Sequence, residues 1–312
     1  MNHPVRVLVP NDEGVRALAG SPELLPVRYH AGQEPTAEQQ RATVMVTGVS
    51  EIEPEIAFMR ALPRLKLLQT LNAGFDQWVG RLPAGVALSN ARGAHGRSTA
   101  EWALAALLAH TRELTRFAAA QSQRRWAHHT TATLDGKRVA ILGAGDIGTH
   151  IRRMLAPFGC RTMLVGRRRR DDVVTMDDFR AVAAEQDVVI LVVPVTPETR
   201  GLVDARFLKE MKDGAILVNP GRGALVVTDD LLRETQAGRL QAILDVTDPE
   251  PLPAQHPLWT SPGVTITPHV AGDTAGSMER AWTVAVEQIG MYARGQIPSN
   301  LVLVPTGWSP AP

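Results

Sequence analysis

The feature that most constrains this chain is a run of glycines that follows a short apolar segment. The segment covers residues 139–142, and Gly143, Gly145 and Gly148 come directly after it with the spacing G-x-G-x-x-G. Apolar residues at helical spacing then continue over residues 151–158. Strand, glycines and helix in this order are typical of a turn that binds the pyrophosphate of a dinucleotide, so the sequence predicts such a site here.

Each glycine has a separate expected role in that turn. Gly143 permits the tight turn, Gly145 lets the backbone approach a pyrophosphate, and Gly148 lets the helix pack against the strand. The N–H groups at the start of the helix, on Asp146 and Ile147, would face the phosphates together with the positive end of the helix dipole. A glycine-rich turn without a ligand is the alternative, and the sequence further along the chain favours the ligand.

The composition bounds the class of protein. A chain of 312 residues is long enough for two domains, because single hydrophobic cores stop growing at about 250–300 residues. The formal net charge of +1 gives no electrostatic case for nucleic acid or a membrane surface as a partner. The single cysteine, Cys160, suits a reducing cytoplasm. A strand-like segment begins at Val5, and no apolar run approaches the ~20 residues of a membrane helix. We therefore expect a cytoplasmic protein without a signal peptide.

The first 90 residues alternate short apolar runs with polar, helix-compatible segments. This alternation predicts a small parallel α/β domain of flavodoxin-like character. The apolar runs are residues 5–9, 27–30, 43–47, 65–71 and 86–88. Ligands bind beyond the carboxyl ends of such strands, so the loop of residues 72–78 is a candidate binding loop. A simple turn with a helix N-cap at Asp76 explains the same loop equally well.

The rest of the chain repeats this rhythm. A long helix is predicted to open at Arg97, with Ser98 or Thr99 as its N-cap. Six apolar segments then alternate with helix-like ones, and six strands make a complete Rossmann sheet. These segments are residues 139–142, 162–165, 188–193, 215–218, 242–244 and 264–266. The Pro-rich tail of residues 295–312 is expected to be irregular. The predicted fold class is therefore α/β, with two parallel-sheet domains.

The residues after the second of these strands indicate which dinucleotide to expect. In NAD-preferring Rossmann domains an acidic residue at this position binds the ribose hydroxyls. Here Gly166 stands 23 positions after Gly143, and residues 167–170 are all arginines. Guanidinium groups suit a phosphate monoester, because they donate two parallel charge-assisted hydrogen bonds. We predict NADP(H) over NAD(H), with Arg167 and Arg168 closest to the 2′-phosphate. A solvated basic loop is the alternative.

Three later segments follow predicted strands and carry an arginine, an acid and a histidine. They are residues 219–223, 244–252 and 267–272. Reduction of a 2-oxo acid needs these three groups: Arg222 to hold the carboxylate, His269 to protonate the carbonyl oxygen, and Glu250 to keep the imidazole oriented and protonated. Each has an ordinary alternative as a helix cap, a packing residue or a turn residue. Their order behind a dinucleotide turn favours the chemical role.

These segments resemble the D-isomer-specific 2-hydroxyacid dehydrogenase family. The resemblance covers nearly the whole chain, including residues 72–78, 193–199 and 295–300. The arginine run and residues 278–282 are most like the NADP-dependent glyoxylate/hydroxypyruvate reductases of that family. The resemblance implies hydride transfer between NADP(H) and a small 2-oxo acid or D-2-hydroxy acid, in a homodimer.

The resemblance also implies a discontinuous chain path and a catalytic set. Residues 1–92 and 275–312 would form the substrate domain, and residues 93–274 the dinucleotide-binding Rossmann domain. Arg222, Glu250 and His269 would be the catalytic residues.

Further positions are carried over from the family in the same way. The substrate would be bound by Arg222, His269 and the N–H groups of Ala73 and Gly74. Asp245 would contact the nicotinamide carboxamide. Other implied cofactor-binding residues are Pro194, Thr199, Pro220 and Gly272.

Two other functions and one structural question stay open from the sequence. The first alternative function is a 3-phosphoglycerate dehydrogenase-like enzyme, and the second is a non-catalytic, dinucleotide-sensing corepressor-type protein. A metal site is not predicted, because His128 and His129 have no carboxylate or cysteine at ligand spacing nearby. Several aromatic residues fit either a substrate pocket or the core, namely Phe75, Trp78, Trp102, Trp126 and Trp282.

Overall fold

The chain forms two compact units, each built around one sheet. The structure is a computed structural model that describes residues 4–48 and 52–310. The first unit comprises Met1–His95 and Ala275–Pro312, and the second comprises Gly96–Thr274. The first boundary thus falls after His95 rather than after residue 92. The reason is local: His95 Nε2 lies 2.9 Å from the carbonyl oxygen of Leu71, within the first unit.

The regular elements follow the alternation of strands and helices that the sequence predicts. The strands are β1 (Val5–Val9), β2 (Leu24–Arg28), β3 (Val44–Thr47), β4 (Leu67–Thr70), β5 (Ala87–Ser89), β6 (Arg138–Leu142), β7 (Arg161–Val165), β8 (Val173–Val174), β9 (Val188–Leu191), β10 (Ile216–Asn219), β11 (Gln241–Leu244), β12 (Val264–Ile266) and β13 (Leu301–Leu303). The α-helices are α1 (Asp12–Leu18), α2 (Ile52–Arg60), α3 (Gly96–Thr111), α4 (Leu114–Ser122), α5 (Asp146–Leu155), α6 (Met176–Arg180), α7 (Ala205–Glu210), α8 (Thr228–Gln236) and α9 (Ser277–Ala293). Within the described ranges, no helix combines the length and the apolar character that a membrane span requires.

The sheet of the first unit has the strand order β13-β5-β4-β3-β1-β2. Its five parallel strands reproduce the flavodoxin-like order 2-1-3-4-5, which confirms the predicted character. The expectation of an irregular tail is wrong, because β13 pairs antiparallel with β5, with Leu301 opposite Ser89. A strand of three residues carries too short a pattern to be recognised, and the exposed edge of β5 supplies its hydrogen-bond partners. The last two residues of the tail, 311 and 312, lie outside the described residues.

The sheet of the second unit has the order β12-β11-β10-β9-β6-β7-β8, and all its strands are parallel. This is a Rossmann arrangement with one strand more than the six predicted. The additional strand, β8, has only two residues and follows the arginine run, so no apolar periodicity reveals it. It pairs with β7 through Leu164 and Val165.

Alternating side chains of the central strand β6 explain how the second unit is packed. Val139 and Ile141 belong to one buried cluster, which includes residues of α3 and α5. Ala140 and Leu142 belong to another, on the opposite face of the sheet. A parallel sheet is covered by helices on both faces, so the near-continuous apolar run of this strand is what its position requires.

Helix α3 begins at Gly96, and this corrects the predicted cap. Because Ser98 and Thr99 already lie inside the helix, neither is its N-cap residue. A Cβ atom at residue 96 would lie 1.8 Å from Oδ2 of Asp146, so a carboxylate from α5 occupies the space beside the first residue of α3. The negative charge there favours the N-terminal end of the helix.

A buried phenol–carboxyl pair joins α2 to the residue that follows β2 in the first unit. Tyr29 and Glu55 are 2% and 1% exposed, and the Tyr29 hydroxyl lies 2.9 and 3.0 Å from the two carboxyl oxygens of Glu55. The same hydroxyl donates to the carbonyl oxygen of Val46 at 3.1 Å. Burial raises the pKa of Glu55 to about 7, because loss of water disfavours the carboxylate more than its hydrogen bonds stabilise it. The protonated acid can donate to the Tyr29 oxygen while Tyr29 donates to Val46.

Glu55 predicts a specific dependence of stability on pH. In the unfolded chain this carboxyl ionises near its ordinary pKa of 4.5, whereas in the folded chain it keeps its proton until about pH 7. Stability should therefore fall as pH rises from 4.5 to 7 and change no further above that, with a total loss of roughly 2–4 kcal/mol. The substitution Glu55→Gln keeps a partner for Tyr29 and removes the titration. Urea-unfolding midpoints of both proteins, measured across this range, should converge at low pH and diverge toward pH 7. Parallel curves would contradict the assignment.

Candidate active site

The glycine turn has the geometry that its sequence predicts. Gly143 has a φ of +126°, and a Cβ there would lie 2.6 Å from the carbonyl oxygen of Val192. A Cβ at Gly148 would lie 1.9 Å from the carbonyl oxygen of Gly143, so the helix can approach the turn only without a side chain. A Cβ at Gly145 would meet no atom within 4 Å. The fold therefore requires glycine at residues 143 and 148, whereas Gly145 leaves open space in front of the helix N-terminus.

The first residues of α5 present backbone rather than side chain to that space. Asp146 Oδ2 lies beside Gly96, and its Oδ1 lies 3.4 Å from Nε2 of His150. The side chain of Ile147 packs against the apolar cluster on one face of the sheet. The N–H groups of the first helical turn have no intrahelical acceptors, so these residues fit the phosphates of a dinucleotide.

The four arginines after β7 divide into two groups. Arg169 forms an ion pair with Asp178, and Arg170 donates to the carbonyl oxygen of Ala144 at 3.4 Å. Within the described residues, Arg168 forms no hydrogen bond or ion pair. A hydrogen bond from Thr196 lowers the pKa of Glu198, and the positive charge of Arg167 lowers it further. The two arginines predicted to bind the 2′-phosphate are thus the two that the fold does not use.

The loop after β9 is held by a hydroxyl group. Thr199 Oγ1 donates to the carbonyl oxygen of Pro194 at 2.7 Å and accepts from the N–H of Thr196 at 2.7 Å. Thr199 therefore fixes the shape of the segment in which the resemblance places two cofactor-binding residues. Pro220, which is buried, follows β10 directly, and Gly272 lies in the loop after β12.

Arg222 lies in the turn after β10, and this turn packs on the segment after β11. Asn219, at the end of β10, accepts from the N–H of Gly221 at 3.1 Å and donates to the carbonyl oxygen of Arg222 at 2.9 Å. A Cβ at Gly223 would lie 1.9 Å from the carbonyl oxygen of Thr247. The absence of a side chain at residue 223 therefore lets the arginine turn approach the chain that leads to Glu250.

His269 and Glu250 form a direct pair. Nδ1 of His269 lies 2.6 Å from Oε1 of Glu250, although the residues come from the loops after two neighbouring strands, β12 and β11. The side chains are 47% and 40% exposed, so the imidazole is accessible while it is held. Since one nitrogen of the ring is engaged by the carboxylate, the other, Nε2, is left to face a substrate.

Asp245 organises the loop that carries His269. Its carboxylate, on a residue 1% exposed, accepts from Thr267 Oγ1 at 2.6 Å and from the N–H groups of Val270 and Ala271 at 2.9 and 2.8 Å. The N–H of His269 donates to the Asp245 carbonyl oxygen at 2.7 Å. His269 has a φ of +56°, a conformation that costs a non-glycine residue about 1–3 kcal/mol and needs support from its surroundings. This role of Asp245 in holding the loop was not predicted from the sequence, where an acid directly after a strand is the one signal of it.

The candidate binding loop of the first unit is ordered by its carbonyl groups. Asn90 Nδ2 donates to the carbonyl oxygen of Ala73 at 2.6 Å, and Thr70 Oγ1 donates to that of Asn72 at 2.9 Å. Within the described residues, the N–H groups of Ala73 and Gly74 donate to no acceptor. The loop thus carries two adjacent free donors, which suits an anion.

The aromatic residues left open by the sequence serve different purposes. Trp78 and Trp282 are 1% and 2% exposed and belong to the core of the first unit, whereas Trp126 is 96% exposed. His129 stacks on Phe117 with ring centroids 4.6 Å apart, and its Nε2 lies 3.1 Å from a Glu113 carboxylate oxygen. In the part of the chain that the structure describes, no group of three His, Cys, Asp or Glu side chains could hold a metal ion.

The glycine turn supplies a matched pair of substitutions. Gly143→Ala should lower the melting temperature, because its Cβ would collide with a backbone oxygen at a φ that L-residues avoid. Gly145→Ala should leave the melting temperature unchanged, because its Cβ meets nothing, yet it should weaken dinucleotide binding by about tenfold or more by filling the space for the phosphates. Thermal unfolding and fluorescence titration with NADPH measure the two effects. Unimpaired nucleotide binding by Gly145→Ala would show that the dinucleotide does not lie here.

Comparisons with known proteins agree with this geometry. Over residues 104–271 the chain matches the family described as D-isomer specific 2-hydroxyacid dehydrogenase, NAD binding domain. It is 33% identical over 262 residues to glyoxylate/hydroxypyruvate reductase A of Serratia proteamaculans (strain 568), covering 80% of this chain and 79% of that protein.

Two crystal structures extend the likeness to nearly the full length. The D-isomer specific 2-hydroxyacid dehydrogenase of Xanthobacter autotrophicus Py2, in complex with NADPH and MES, superposes with a TM-score of 0.85 at 28% identity, covering 96% of this chain and 98% of that one. The NADPH-dependent glyoxylate/hydroxypyruvate reductase of Sinorhizobium meliloti, in complex with NADP and sulfate, gives a TM-score of 0.80 at 27% identity and the same coverage. The chain described here belongs to the D-isomer specific 2-hydroxyacid dehydrogenase family.

Proposed function

We propose that this protein reduces a small 2-oxo acid of the glyoxylate and hydroxypyruvate class to the D-2-hydroxy acid, with NADPH as the reductant. The observation that carries the proposal is the pair formed by His269 and Glu250, with 2.6 Å between Nδ1 and the carboxylate oxygen. It lies at the carboxyl edge of a Rossmann sheet, where ligands of such sheets bind. The similarity to glyoxylate/hydroxypyruvate reductases supports the substrate class.

The pair gives His269 the role of general acid. Glu250 accepts a hydrogen bond from the Nδ1–H group and so orients the ring, which leaves Nε2 to give a proton to the oxygen of the substrate carbonyl. NADPH, when bound, supplies the hydride to the carbonyl carbon. Asp245 holds the residues on either side of His269, and this supports the orientation of the imidazole.

We assign the substrate carboxylate to Arg222 in the second unit, and we assign a substrate-binding role to the N–H groups of Ala73 and Gly74 in the first unit. A guanidinium donates two parallel hydrogen bonds to a carboxylate and fixes its orientation. Arg222 is positioned by Asn219, which holds its backbone at the end of β10. The two N–H groups have no acceptor within the described residues and add donors of the right kind.

We assign NADPH to the turn and loops of the second unit. Gly143, Gly145 and Gly148 shape the turn, and the N–H groups of Asp146 and Ile147 face the pyrophosphate. Arg167 and Arg168 take the 2′-phosphate that distinguishes NADPH from NADH. The remaining contacts proposed for the cofactor are those of Pro194, Thr199, Pro220, Asp245 and Gly272. Asp245 keeps one acceptor position on Oδ2 for the carboxamide, since within the described residues that oxygen accepts a hydrogen bond from Ala271 alone.

We further propose a homodimer located in the cytoplasm. Trp126 is 96% exposed in the connector between α4 and β6, where a second subunit would cover it. The lone cysteine, Cys160, is half-buried and donates to the carbonyl oxygen of Leu134 at 3.3 Å, which is compatible with a reducing compartment.

Removal of the general acid tests the mechanism. His269→Ala should lower kcat for glyoxylate or hydroxypyruvate reduction by about 10²–10⁴-fold, because a positioned acid contributes that much. NADPH binding should change little, since the ring is assigned to the substrate. The control is His30→Ala, which removes an exposed histidine from the first unit. Steady-state loss of absorbance at the NADPH band measures both variants, and turnover by His269→Ala at the level of the control would refute the proposal. Inclusion of 3-phosphoglycerate with NADP+ in the assay separates the phosphoglycerate-oxidising alternative.

The cofactor assignment has its own test. The double variant Arg167→Ala, Arg168→Ala should lower kcat/KM for NADPH by about 10- to 100-fold or more, because charge-assisted hydrogen bonds to a phosphate are lost. The kcat/KM for NADH should stay within about twofold of that of the unsubstituted protein, since NADH has no 2′-phosphate with which the two arginines could form these bonds. Arg153→Ala is the matched control, because it removes an exposed arginine from α5 in the same unit. Equal losses with both cofactors, or a wild-type preference for NADH, would contradict the assignment.

A further inference from the structure

A cavity lies in the first unit, at the edge of the sheet where its strands begin. Its volume is about 790 Å³. Residues just before or at the start of β1, β3, β4 and β5 line it, together with the segment that follows β13. The loop with Ala73 and Gly74 follows β4, so the cavity and that loop lie at opposite ends of the same strands. We call it the basic cavity, after the cations Arg6, Arg41, Arg64 and Lys66 in its lining.

The charge of the basic cavity is of one sign. Its lining contains these four cations and no aspartate or glutamate. Within the described residues, none of the four side chains forms an ion pair or a hydrogen bond. Elsewhere in the same unit arginines are paired: Arg28 with Asp12 at 2.7 Å and Arg294 with Glu23 at 3.0 Å.

Arg6 adds an observation that simple solvation of the cations does not explain. Its Nε is buried and has no hydrogen-bond acceptor within the described residues. A buried donor without an acceptor is destabilising, and more so when the group is charged. Arg6 lies in β1, between β2 and β3, so the fold holds its backbone in place at this cost. An anion in the basic cavity would supply an acceptor and reduce the repulsion among the four cations.

On one side of the basic cavity, contacts of Trp308 hold the segment after β13 in place. Trp308 Nε1 donates to the carbonyl oxygen of Lys66 at 2.9 Å, and the ring centroids of Trp308 and Tyr292 lie 6.2 Å apart. This contact ties the segment after β13 to the start of β4. The cavity is therefore a preformed space with an aromatic side chain beside its cations.

We propose that the basic cavity binds a small organic molecule that carries two or more phosphate groups. Three guanidinium forks and an ammonium group suit phosphate oxygens, which accept parallel charge-assisted hydrogen bonds. The volume falls within the range of about 300–1,000 Å³ of small-molecule sites and exceeds what a single inorganic phosphate would fill. The site is separate from the dinucleotide turn, which lies in the second unit.

Calorimetric titration of the full-length protein tests this proposal with ATP, free of magnesium, as the probe. NADP+ is left out of the titration, because it carries phosphate groups itself and would compete with ATP for the basic cavity; the substitutions below assign the bound ATP to the cavity. We expect one ATP per chain, with an affinity that falls as salt is raised, because the contacts are charged. Arg41→Gln combined with Arg64→Gln should weaken binding by about tenfold or more.

The control is Arg16→Gln combined with Arg60→Gln. These exposed arginines of α1 and α2 lie in the same unit, and their loss changes the net charge equally. This pair should bind ATP as the unsubstituted protein does. Absence of binding to the unsubstituted protein, or equal weakening in both pairs, would overturn the proposal. A pentaglutamate peptide that bound as tightly as ATP would also overturn it, since carboxylates would then suffice. The measurement does not depend on reductase activity, so the proposed function and this site fail or stand separately.

Discussion

The carboxylate of Asp245 is the interaction on which the arrangement of the site depends. It is almost fully buried and accepts three hydrogen bonds from the chain on either side of His269. A buried charge is tolerated when it is hydrogen-bonded, and here the donors are two backbone N–H groups and a hydroxyl. In return the loop is held in a shape that places His269 at a positive φ. The pairing of His269 with Glu250 rests on that support, because a free loop would relax to a more favourable backbone conformation.

Strand order brings the other groups to the same edge. β10, β11 and β12 are consecutive and parallel, so the segments that follow them leave the sheet side by side. Gly223 removes the last obstacle, since a side chain there would collide with the carbonyl oxygen of Thr247. The first unit uses the opposite end of its own sheet for a different purpose. There the strands begin among cations that form no ion pair within the described residues, whereas the loop after β4 presents N–H groups that donate to no acceptor in the same part of the chain.

Much of this could be predicted from local pattern. The glycine turn is readable because each glycine answers a steric requirement: Gly143 and Gly148 admit no Cβ in the structure, and Gly145 leaves space. The absence of an acidic residue after β7, which favours NADP(H), can likewise be recognised from a few neighbouring residues. The misses have a common cause. β8 and β13 are two and three residues long, so their existence depends on an available neighbouring edge rather than on their own periodicity. Helix α3 starts at Gly96, earlier than the sequence predicts. The carboxylate of Asp146, from another helix, lies beside that residue, and the local sequence around Gly96 does not indicate this contact.

By itself the sequence determined the alternation of strands and helices, the dinucleotide turn, and the identity of the residues able to do chemistry, because steric rules, hydrophobic periodicity and ionisable groups are properties of short segments. Only the tertiary structure decided which of those residues meet. Arg169 pairs with Asp178 and Arg170 donates to Ala144, whereas Arg168, in the same run, has no hydrogen bond or ion pair to the residues that the structure describes. Tyr29 and Glu55, which are 26 residues apart, are hydrogen-bonded to each other in the core. The carboxylate of Asp245 accepts a hydrogen bond from the N–H of Ala271, 26 residues further along the chain. Such contacts require strands distant in sequence to be neighbours in a sheet, and the free energy that selects that packing is distributed over the whole core.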